Sequence, residues 1–351
     1  MPTLAPPTLQ SFAAQLMAAG GMSPAESALV SASLVDANLK GYDSHGVMRV
    51  PYYLQAIKDG EVVPGGELQI LEEGPSRIVA DAHWGIGQVQ AQKLIKLLTV
   101  NAKDGGLGLG TMMHCGHIGR LGEYCEQTAA LGLVSMLMVN SHGGAVRVAP
   151  PGGKAPRLST NPLAIGVPNR GEPLVLDFST SATAEGKVRV KKIAGQPCPE
   201  GWLIDKDGNP TTDPSTLYGN PPGSILPMGG AQAYKGFGLG LMIEILTGAL
   251  SGGNVAKTVP YPKKGNCVFI LLIDPARFGG ADHFQSEVSQ LVEYVKSCPR
   301  VAGCDEIILP GDPERRLAAK RLREGVTLDA ENWNALVKLG EKLGVGAPSC
   351  S

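Results

Sequence analysis

The chain has no apolar run long enough to cross a bilayer. Its longest apolar stretches, such as residues 131–139, fall well short of the roughly 20 residues that a membrane-spanning helix needs. Residues 1–7 lack the charged region and following apolar segment of a secretion signal. The formal net charge is −1 and no long basic run occurs, which argues against a nucleic-acid partner. We therefore expect a cytoplasmic protein without a membrane or nucleic-acid partner.

Paired cysteine motifs are also missing. The seven cysteines form no C-x-x-C pair, and their number is odd, which favours free thiols in a reducing compartment. Glycine is abundant instead: its 47 residues are about twice the usual share of this amino acid. This abundance predicts many tight turns and places where the backbone approaches a ligand closely.

The usual nucleotide-binding motifs are absent. Residues 85–90 match only the first two glycines of G-x-G-x-x-G and follow no clear strand, and the glycines at 106–110 run into a strand rather than a helix. No G-x-x-x-x-G-K-[ST] occurs. Both the Rossmann fingerprint and the P-loop are thus rejected.

The periodicity predicts an α/β core in the middle of the chain, with helices from both ends packing beside it. Two helices fill residues 8–40, broken at Gly20-Gly21, and Ser23 with Glu26 forms a capping box for the second one. The other predicted helices are 88–104, 119–131, 235–251, 285–299 and 314–343, and the predicted strands are 77–80, 107–113, 132–140, 163–168, 173–178, 266–274 and 305–309.

Residues 43–53, D-S-H-G-V-M-R-V-P-Y-Y, concentrate groups suited to proton transfer. In a continuous helix, His45 and Arg49 would share a face with Tyr52 or Tyr53. Alternatively, because Pro51 favours the first turn of a helix, the helix begins near Val50 and His45 lies in the entry loop. Either way, an imidazole and a carboxylate-binding cation indicate chemistry on an anionic organic molecule.

Four other segments carry candidate chemistry. His114, His117 and His142 have spacings that a zinc site could use, although no carboxylate pair completes such a site. The segments 159–165, 176–187 and 233–241 place hydroxyls, a carboxylate and a lysine at strand ends or a helix start. Backbone N–H groups at such positions bind phosphate or ribose well.

A series of stretches running in order over nearly the whole chain matches one enzyme family. They are D-S-H-G-V-M-R-V-P-Y-Y (43–53), G-Q-V (87–89), H-I-G-R-L-G-E-Y (117–124), T-N-P-L-A-I (160–165), L-D-F-S-T-S (176–181), C-P-E-G-W-L-I-D-K-D-G-N-P-T-T-D-P (198–214), Y-K-G-F-G-L (234–239) and I-L-P-G-D-P-E-R-R (308–316). The chain resembles the malate/L-lactate dehydrogenase family of type 2 NAD(P)-dependent oxidoreductases. That family includes sulfolactate, ureidoglycolate and diketogulonate dehydrogenases and piperideine/pyrroline-carboxylate reductases.

The resemblance implies a role for each matching residue. His45 is the expected proton donor to the substrate carbonyl, Ser44 supports it, Arg49 binds the substrate carboxylate and Tyr53 lies near the substrate. Further implied substrate contacts are Thr160, Glu185 and Gly186. The implied contacts to NAD or NADP are His117, Ile118, Gly119, Arg120, Leu121, Asp177, Phe178, Ser179, Tyr234, Lys235, Pro310, Gly311 and Arg315. No metal is implied.

Two positions depart from relatives. Some relatives carry arginine at position 185, and imine reductases place an aspartate at position 188, where this chain has Glu185 and Val188. If Glu185 faces the pocket, it would repel a second substrate carboxylate, which favours a monocarboxylate or an amino-bearing substrate. Val188 removes the acid that an imine reductase would use.

The resemblance also implies the architecture. It implies an α/β protein with a non-Rossmann NAD(P)-binding domain, whose largely antiparallel mixed sheet is flanked by helices, plus a discontinuous helical domain. We expect N-terminal helices at 1–40 that contact a partner in a homodimer, a substrate domain from 41–110 and 275–351, and an NAD(P)-binding domain at 111–274.

Three functions follow as hypotheses. The first is hydride transfer between a nicotinamide cofactor and a 2-oxo or 2-hydroxy acid. The second is reduction of a cyclic 2-imino acid. The third is a metal-dependent hydrolase that uses His114, His117 and His142.

Overall fold

A computed structural model describes residues 2–349. The helices are α1 (Pro6–Ala19), α2 (Pro24–Leu39), α3 (Val50–Lys58), α4 (Gly87–Gly105), α5 (Leu121–Ala130), α6 (Glu185–Ile193), α7 (Ala233–Glu244), α8 (Ala281–Lys296), α9 (Asp312–Glu324) and α10 (Ala330–Leu343). The strands are β1 (Thr3–Leu4), β2 (Gln69–Gly74), β3 (Arg77–Asp81), β4 (Leu107–Cys115), β5 (Val134–Val139), β6 (Pro162–Val167), β7 (Leu174–Ser179), β8 (Leu203–Ile204), β9 (Pro210–Thr211), β10 (Ser224–Ile225), β11 (Asn266–Ile273) and β12 (Val326–Thr327).

Most predicted elements are confirmed. The capping box at the start of α2 is present, since the Ser23 hydroxyl accepts from the Glu26 N–H and the Glu26 carboxylate accepts from the Ser23 N–H. The predicted strand at 305–309 is wrong, because these residues are irregular and precede the turn that leads into α9. The apolar pair Ile307-Ile308 resembles a strand in sequence, but no neighbouring strand pairs with this segment.

A seven-stranded sheet forms the centre of the fold. Its order is β2-β3-β4-β11-β5-β6-β7, and every neighbouring pair is antiparallel except β3 with β4. The mixed, mainly antiparallel sheet that the family resemblance implies is therefore present. β4 crosses residue 110, so the sheet continues through one of the predicted domain boundaries; the division into domains stays a prediction.

Side-chain size decides which face of the sheet each helix covers. On one face, Gly110, Ile270, Leu137 and Ala164 lie side by side across four strands, and α4 and α5 pack closely over them. On the other face, a row of larger side chains from the same strands packs against α7. Small residues under α4 permit the close approach of the helix to the sheet.

The two ends of the chain pack together. Antiparallel β1 and β12 pair Thr3 with Thr327, and the ring of Phe12 on α1 lies 5.8 Å from that of Trp333 on α10. α1, α2, α3 and α10 thus share one apolar core. The apolar faces of the N-terminal helices are used within the chain itself.

Two further observations complete the fold. Six cysteines, at positions 115, 125, 198, 267, 298 and 304, are free thiols, as expected, and Cys350 lies outside the described residues. Among residues 2–349 no helix is both long and apolar enough to cross a membrane.

Gly108 provides a test of the close packing between α4 and the sheet. A Cβ at this position would lie less than 3.0 Å from the carbonyl oxygen of Leu98. Because backbone atoms cannot yield as a side chain can, we expect Gly108→Ala to lower the free energy of unfolding by about 1–3 kcal/mol. Urea denaturation measures this change.

The control is Gly171→Ala, at a glycine with nothing within 4 Å of the added methyl group. We expect it to shift the free energy of unfolding by no more than about 1 kcal/mol. Equal stabilities of the two variants would contradict the packing argument.

Candidate active site

His45 lies in a short turn between α2 and α3. Residues Asp43–His45 and Val47–Arg49 form two 3₁₀ turns, and α3 begins at Val50 with Pro51 in its first turn. The continuous helix considered from the sequence is therefore wrong, and the entry-loop alternative is confirmed. Proline decides the outcome, because it fits the first turn of a helix and not the interior.

Asn38 at the end of α2 fixes this turn. Its amide nitrogen donates to Asp43 Oδ1 at 2.7 Å, and its amide oxygen accepts from the Val47 N–H at 2.9 Å. Arg321 from α9 donates to both carboxylate oxygens of Asp43, at 2.8 and 3.1 Å. Gly46 is required here, since a Cβ would collide with the Asn38 side chain. The His45 backbone is thus held from two helices.

Ser44 connects His45 with Arg49. The Ser44 hydroxyl lies 3.0 Å from His45 Nδ1, and the Ser44 carbonyl accepts from Arg49 Nε at 2.6 Å. The guanidinium carbon of Arg49 lies 5.9 Å from the centre of the Tyr52 ring. Within residues 2–349, no carboxylate forms an ion pair with Arg49. Its terminal nitrogens remain available for a substrate.

A second imidazole faces His45. The His117 ring lies 5.5 Å from the His45 ring, and its Nδ1 is 2.8 Å from the Tyr53 hydroxyl, which in turn accepts from Gln88 at 3.0 Å. The Tyr53 hydroxyl accepts from Gln88 and donates its own hydrogen to His117 Nδ1. The proton of the neutral His117 ring therefore lies on the other ring nitrogen. Tyr53 therefore acts on His117 and does not share a helix face with His45.

Burial keeps both imidazoles neutral. Desolvation lowers the pKa of His45 from 6.5 to about 3, and the positive charges of Arg49 and Arg120 add to this effect. Desolvation, with Arg49 and His45, also lowers the pKa of His117 well below its usual value. Each ring can accept a proton only when its surroundings become more negative.

His45 lines a cleft of about 740 Å³. We call it the His45 cleft. Of the residues expected at the site, it is lined by Ser44, His45, Gly119, Arg120, Leu121, Thr160, Asp177, Phe178, Ser179 and Gly186. Ten residues that are distant in sequence thus converge, because the turn before α3, the start of α5 and the end of β7 meet at one edge of the sheet.

Two charged side chains that line the His45 cleft, Arg120 and Asp177, have hydrogen-bond partners within the protein. Buried Arg120 donates to Asp36 and Glu126 at 2.9 and 2.8 Å, and its guanidinium lies 5.5 Å from the Tyr42 ring. Asp177 accepts from the Gly122 N–H at 2.7 Å, and burial raises its pKa to about 6 against the pull of Arg120. The Thr183 hydroxyl is buried at the cleft and has no hydrogen-bond partner in the described part of the chain.

Other expected residues lie outside the lining. Arg49, Tyr53 and His117 do not line the cleft, although Arg49 bonds Ser44 and the His117 ring lies 5.5 Å from the His45 ring. Ile118 is buried with its N–H bonded to Asn266. Tyr234 and Lys235 are exposed at the start of α7. The loop of Pro310 and Gly311 docks on β7, where the Pro310 carbonyl accepts from the Val175 N–H and Arg315 donates to the Pro173 carbonyl at 2.7 Å.

Glu185 does not line the His45 cleft either. Its carboxylate accepts from the Tyr218 hydroxyl at 2.7 Å. The condition under which it would repel a second substrate carboxylate in this cleft is therefore not met. Val188 is fully buried in a small apolar cluster with Val148, Cys198, Leu203, Leu217 and Ile225.

The three histidines of the metal hypothesis do not meet. His114 Nδ1 lies 2.9 Å from an Asp81 carboxylate oxygen, and its ring lies 5.1 Å from that of His142. Both histidines cluster with Trp84 and Tyr261. His117 instead bonds to Tyr53. Within residues 2–349 no group of three or more His, Cys, Asp or Glu side chains could hold a metal ion. The metal-dependent hydrolase hypothesis therefore lacks its ligand set.

Comparison with known proteins assigns the chain to a family. The family profile for malate/L-lactate dehydrogenase matches residues 4–337. The chain belongs to the malate/L-lactate dehydrogenase family. An L-lactate dehydrogenase from Cupriavidus necator is 37% identical over 327 residues, which cover 91% of this chain and 92% of that protein.

Solved structures agree in fold. A malate dehydrogenase from Pyrococcus horikoshii superposes with a TM-score of 0.89 at 30% identity, covering 99% of this chain and 97% of that one. A Δ1-piperideine-2-carboxylate reductase from Pseudomonas syringae superposes with a TM-score of 0.84 at 29% identity, covering 97% and 100%. The mixed α/β architecture is thus shared across this dehydrogenase family.

Sequence reasoning missed part of the cleft of this family member. The additional lining residues include Val190, Lys191 and Leu317. Val190 lies four residues after Gly186 on α6, so helical spacing from Gly186 could have indicated it. Leu317 comes from α9, and only the tertiary fold brings it to the cleft.

The neutral imidazoles predict how stability depends on pH. Because His45 and His117 bind a proton near pH 6.5 when unfolded and only at much lower pH when folded, stability is lost as pH falls below about 6.5. At about pH 5.5 each such group costs on the order of 1 kcal/mol relative to pH 7.5. We expect His45→Asn to lose less stability over this range than the wild type.

Chemical denaturation at both pH values measures the difference. His83→Asn is the control, because His83 is an exposed-loop residue that bonds Gln69. If His45→Asn and His83→Asn both lost as much stability between the two pH values as the wild type does, the effect would not originate in His45.

Proposed function

We propose that this family member interconverts a 2-oxo acid and a 2-hydroxy acid by hydride transfer to or from NAD or NADP. The observation that carries the proposal is the linkage of His45, Ser44 and unpaired Arg49 in one turn beside a long cleft. An imidazole and a guanidinium without a carboxylate partner, held in one turn, suit a substrate with a carbonyl or hydroxyl next to a carboxylate.

The His45 cleft fits a dinucleotide in size and chemistry. Its volume lies within the range of about 300–1,000 Å³ typical of ligand sites. Leu121, Pro162 and Phe178 offer apolar surface, the end of β7 offers Asp177 and Ser179, and the unpartnered Thr183 hydroxyl is free for a ligand. When bound, the nicotinamide supplies or accepts the hydride.

Arg49 and His45 then act together on the substrate. The guanidinium of Arg49 binds the carboxylate as a planar fork and orients C2 of the substrate. Desolvation is the main cause of the low pKa of His45 in the free site and the positive charge of Arg49 adds to it, so a bound carboxylate, by neutralising Arg49, shifts that pKa upward. In the proposed reaction, protonated His45 donates the proton for reduction, and neutral His45 accepts it for oxidation.

Reduction of a cyclic 2-imino acid is the second candidate, favoured by the structural similarity to the piperideine-carboxylate reductase. Against it, position 188 holds a fully buried valine inside an apolar cluster. This position offers no acid near the substrate. Parallel assays with pyruvate and a cyclic imino acid discriminate the two candidates.

Variants of His45 and Arg49 test the two roles separately. We expect His45→Ala to lower kcat by about 10²–10⁴-fold, because a positioned proton donor is lost, while NADH or NADPH binding by fluorescence is retained. Arg49→Lys keeps the charge but loses the fork, so KM for the 2-oxo acid should rise and kcat should fall as well.

The pH dependence provides a further readout of the same prediction. In the wild type, kcat for reduction should fall as pH rises through the pKa of His45 in the substrate complex, and kcat for oxidation should rise. Wild-type turnover by His45→Ala, or failure of the wild type to bind either cofactor, would refute the proposal.

We also propose that the protein forms a homodimer through the outer surface of α7. Met242 on α7, Ile245 in the π-helical turn Ile245–Ala249 that follows it and Leu250 directly after that turn are 51%, 45% and 53% exposed. Ile243 of α7 packs instead on the sheet. Large apolar side chains exposed close together mark a protein interface more often than isolated ones do.

Disruption of that surface tests the dimer. We expect Met242→Glu combined with Leu250→Glu to convert a dimer into a monomer in light scattering after size-exclusion chromatography. Val100→Glu, at a 57% exposed position on α4, is the control and should leave the mass unchanged. A wild-type monomer, or a double variant that remains dimeric, would contradict this interface.

A further inference from the structure

The G-Q-V motif (87–89) begins α4 and reaches His117 in two ways. The side chain of Gln88 is only 1% exposed and donates to the Tyr53 hydroxyl at 3.0 Å, and that hydroxyl lies 2.8 Å from His117 Nδ1. A Cβ at Gly87 would collide with the carbonyl oxygen of His117, so the start of α4 lies directly against this backbone. The motif therefore contacts the backbone of His117 and, through one intermediary, its ring.

The backbone fixes the direction of the hydrogen bonds at His117. The Gly119 N–H donates to His117 Nδ1 at 3.3 Å, and an amide N–H cannot accept, so Nδ1 carries no hydrogen. The Tyr53 hydroxyl, which contacts the same nitrogen, must then donate to it. Its oxygen in turn accepts from the Gln88 amide. Each bond of this relay thus has one possible direction, and the hydrogen of the neutral ring lies on Nε2.

Burial preserves this polarity. Desolvation raises the pKa of Tyr53 to about 12, so its hydroxyl keeps the hydrogen that it donates. Desolvation also lowers the pKa of His117 well below its usual value, so the ring stays neutral. Gly119 adjoins the Gln88 amide, since a Cβ there would lie 3.3 Å from the amide nitrogen. The amide is thus confined between this glycine and the phenol.

The hydrogen on Nε2 of His117 is available to a ligand. Both hydrogen bonds that the ring makes within residues 2–349 involve Nδ1. The ring is partly exposed and lies 5.5 Å from that of His45. A neutral imidazole in this position donates without adding a charge to a buried site, and a fixed donor stabilises negative charge that develops on a neighbouring oxygen.

We propose that Gln88 is a positioning residue for hydride transfer: through Tyr53 it fixes His117 as the tautomer that donates from Nε2 to the C2 oxygen of the substrate. The inference rests on the proposed function and adds to it. On reduction, His45 gives its proton to that oxygen while His117 holds the oxygen from a second side. Position 88 needs a donor, and a carboxylate of the same size cannot be one.

Gln88→Glu reverses the relay with little change in volume. Because a carboxylate only accepts, the Tyr53 hydroxyl turns to it, and the phenol oxygen is left to accept a hydrogen from His117 Nδ1. ¹⁵N NMR of the free protein shows which ring nitrogen carries hydrogen, and a His117→Gln sample identifies the signals. We expect hydrogen on Nε2 alone in the wild type and on Nδ1 in Gln88→Glu.

Tyr53→Phe separates the relay from the added negative charge. If Gln88 acts through Tyr53, Gln88→Glu combined with Tyr53→Phe should leave His117 Nδ1 without hydrogen, because phenylalanine cannot transmit the reversal. Hydrogen on Nδ1 in both backgrounds, or in neither, would overturn the positioning role. Hydrogen on Nδ1 in the wild type would overturn it without any variant.

Turnover gives a second readout. With pyruvate or oxaloacetate, whichever the wild type reduces faster, Gln88→Glu should lower kcat about 10–100-fold and leave KM within about threefold, because the donor acts on charge that develops during the reaction. The matched control is Gln92→Glu, one turn further along α4, where the side chain bonds Gln127 at an exposed site. It should leave kcat and the ring signals unchanged.

The two readouts distinguish failure of this inference from failure of the proposed function. A kcat of Gln88→Glu equal to that of the wild type would overturn the role of Gln88 and leave the proposed function intact. A wild type that binds NADH or NADPH but reduces neither acid would refute the proposed function and the catalytic part of this inference. The ring signals would then still decide whether Gln88 fixes the tautomer of His117.

Discussion

The side chain of Asn38 is the contact on which the arrangement of the site depends. It bonds Asp43 before His45 and Val47 after it. A Cβ at position 46 would collide with the Asn38 side chain, so this position requires glycine. Arg321 reinforces the same turn through Asp43. A catalytic side chain on a loop needs such support, because rotation of the loop would cost the alignment of proton donor and substrate. Asn38 and Arg321 provide that support from α2 and α9.

Burial determines the protonation states at the site. His45, His117 and Arg49 lie together, and desolvation makes a second or third positive charge there unfavourable. The free site therefore holds two neutral rings beside Arg49, with Arg120 as a second cation acting on His45. In the proposed reaction, the carboxylate of the substrate neutralises Arg49 and so couples substrate binding to the protonation of His45.

α6 lies against both the turn that carries His45 and the His45 cleft. Its first turn packs Gly186 against Ser44, one of its faces lines the His45 cleft, and Arg189 lies against Met48. Val188, on the buried side of α6, packs the helix against the small sheet of β8, β9 and β10.

Local sequence chemistry predicted the N-terminal helices, most strands, the capping box at Ser23 and the start of α3 near Val50, because these depend on periodicity and on proline geometry. The single helix predicted at 314–343 is wrong, since β12 separates α9 from α10. The motif around His45 and the family resemblance predicted site residues, ten of which line the His45 cleft. The segment at 305–309 shows the limit: its residues suit a strand, but a strand exists only where a partner offers hydrogen bonds. Tertiary structure alone decided that Tyr53 bonds His117, that Glu185 turns to Tyr218 and that Glu314 and Leu317 reach the cleft. Each of these contacts joins residues far apart in the chain, and its energy depends on packing that no local pattern encodes.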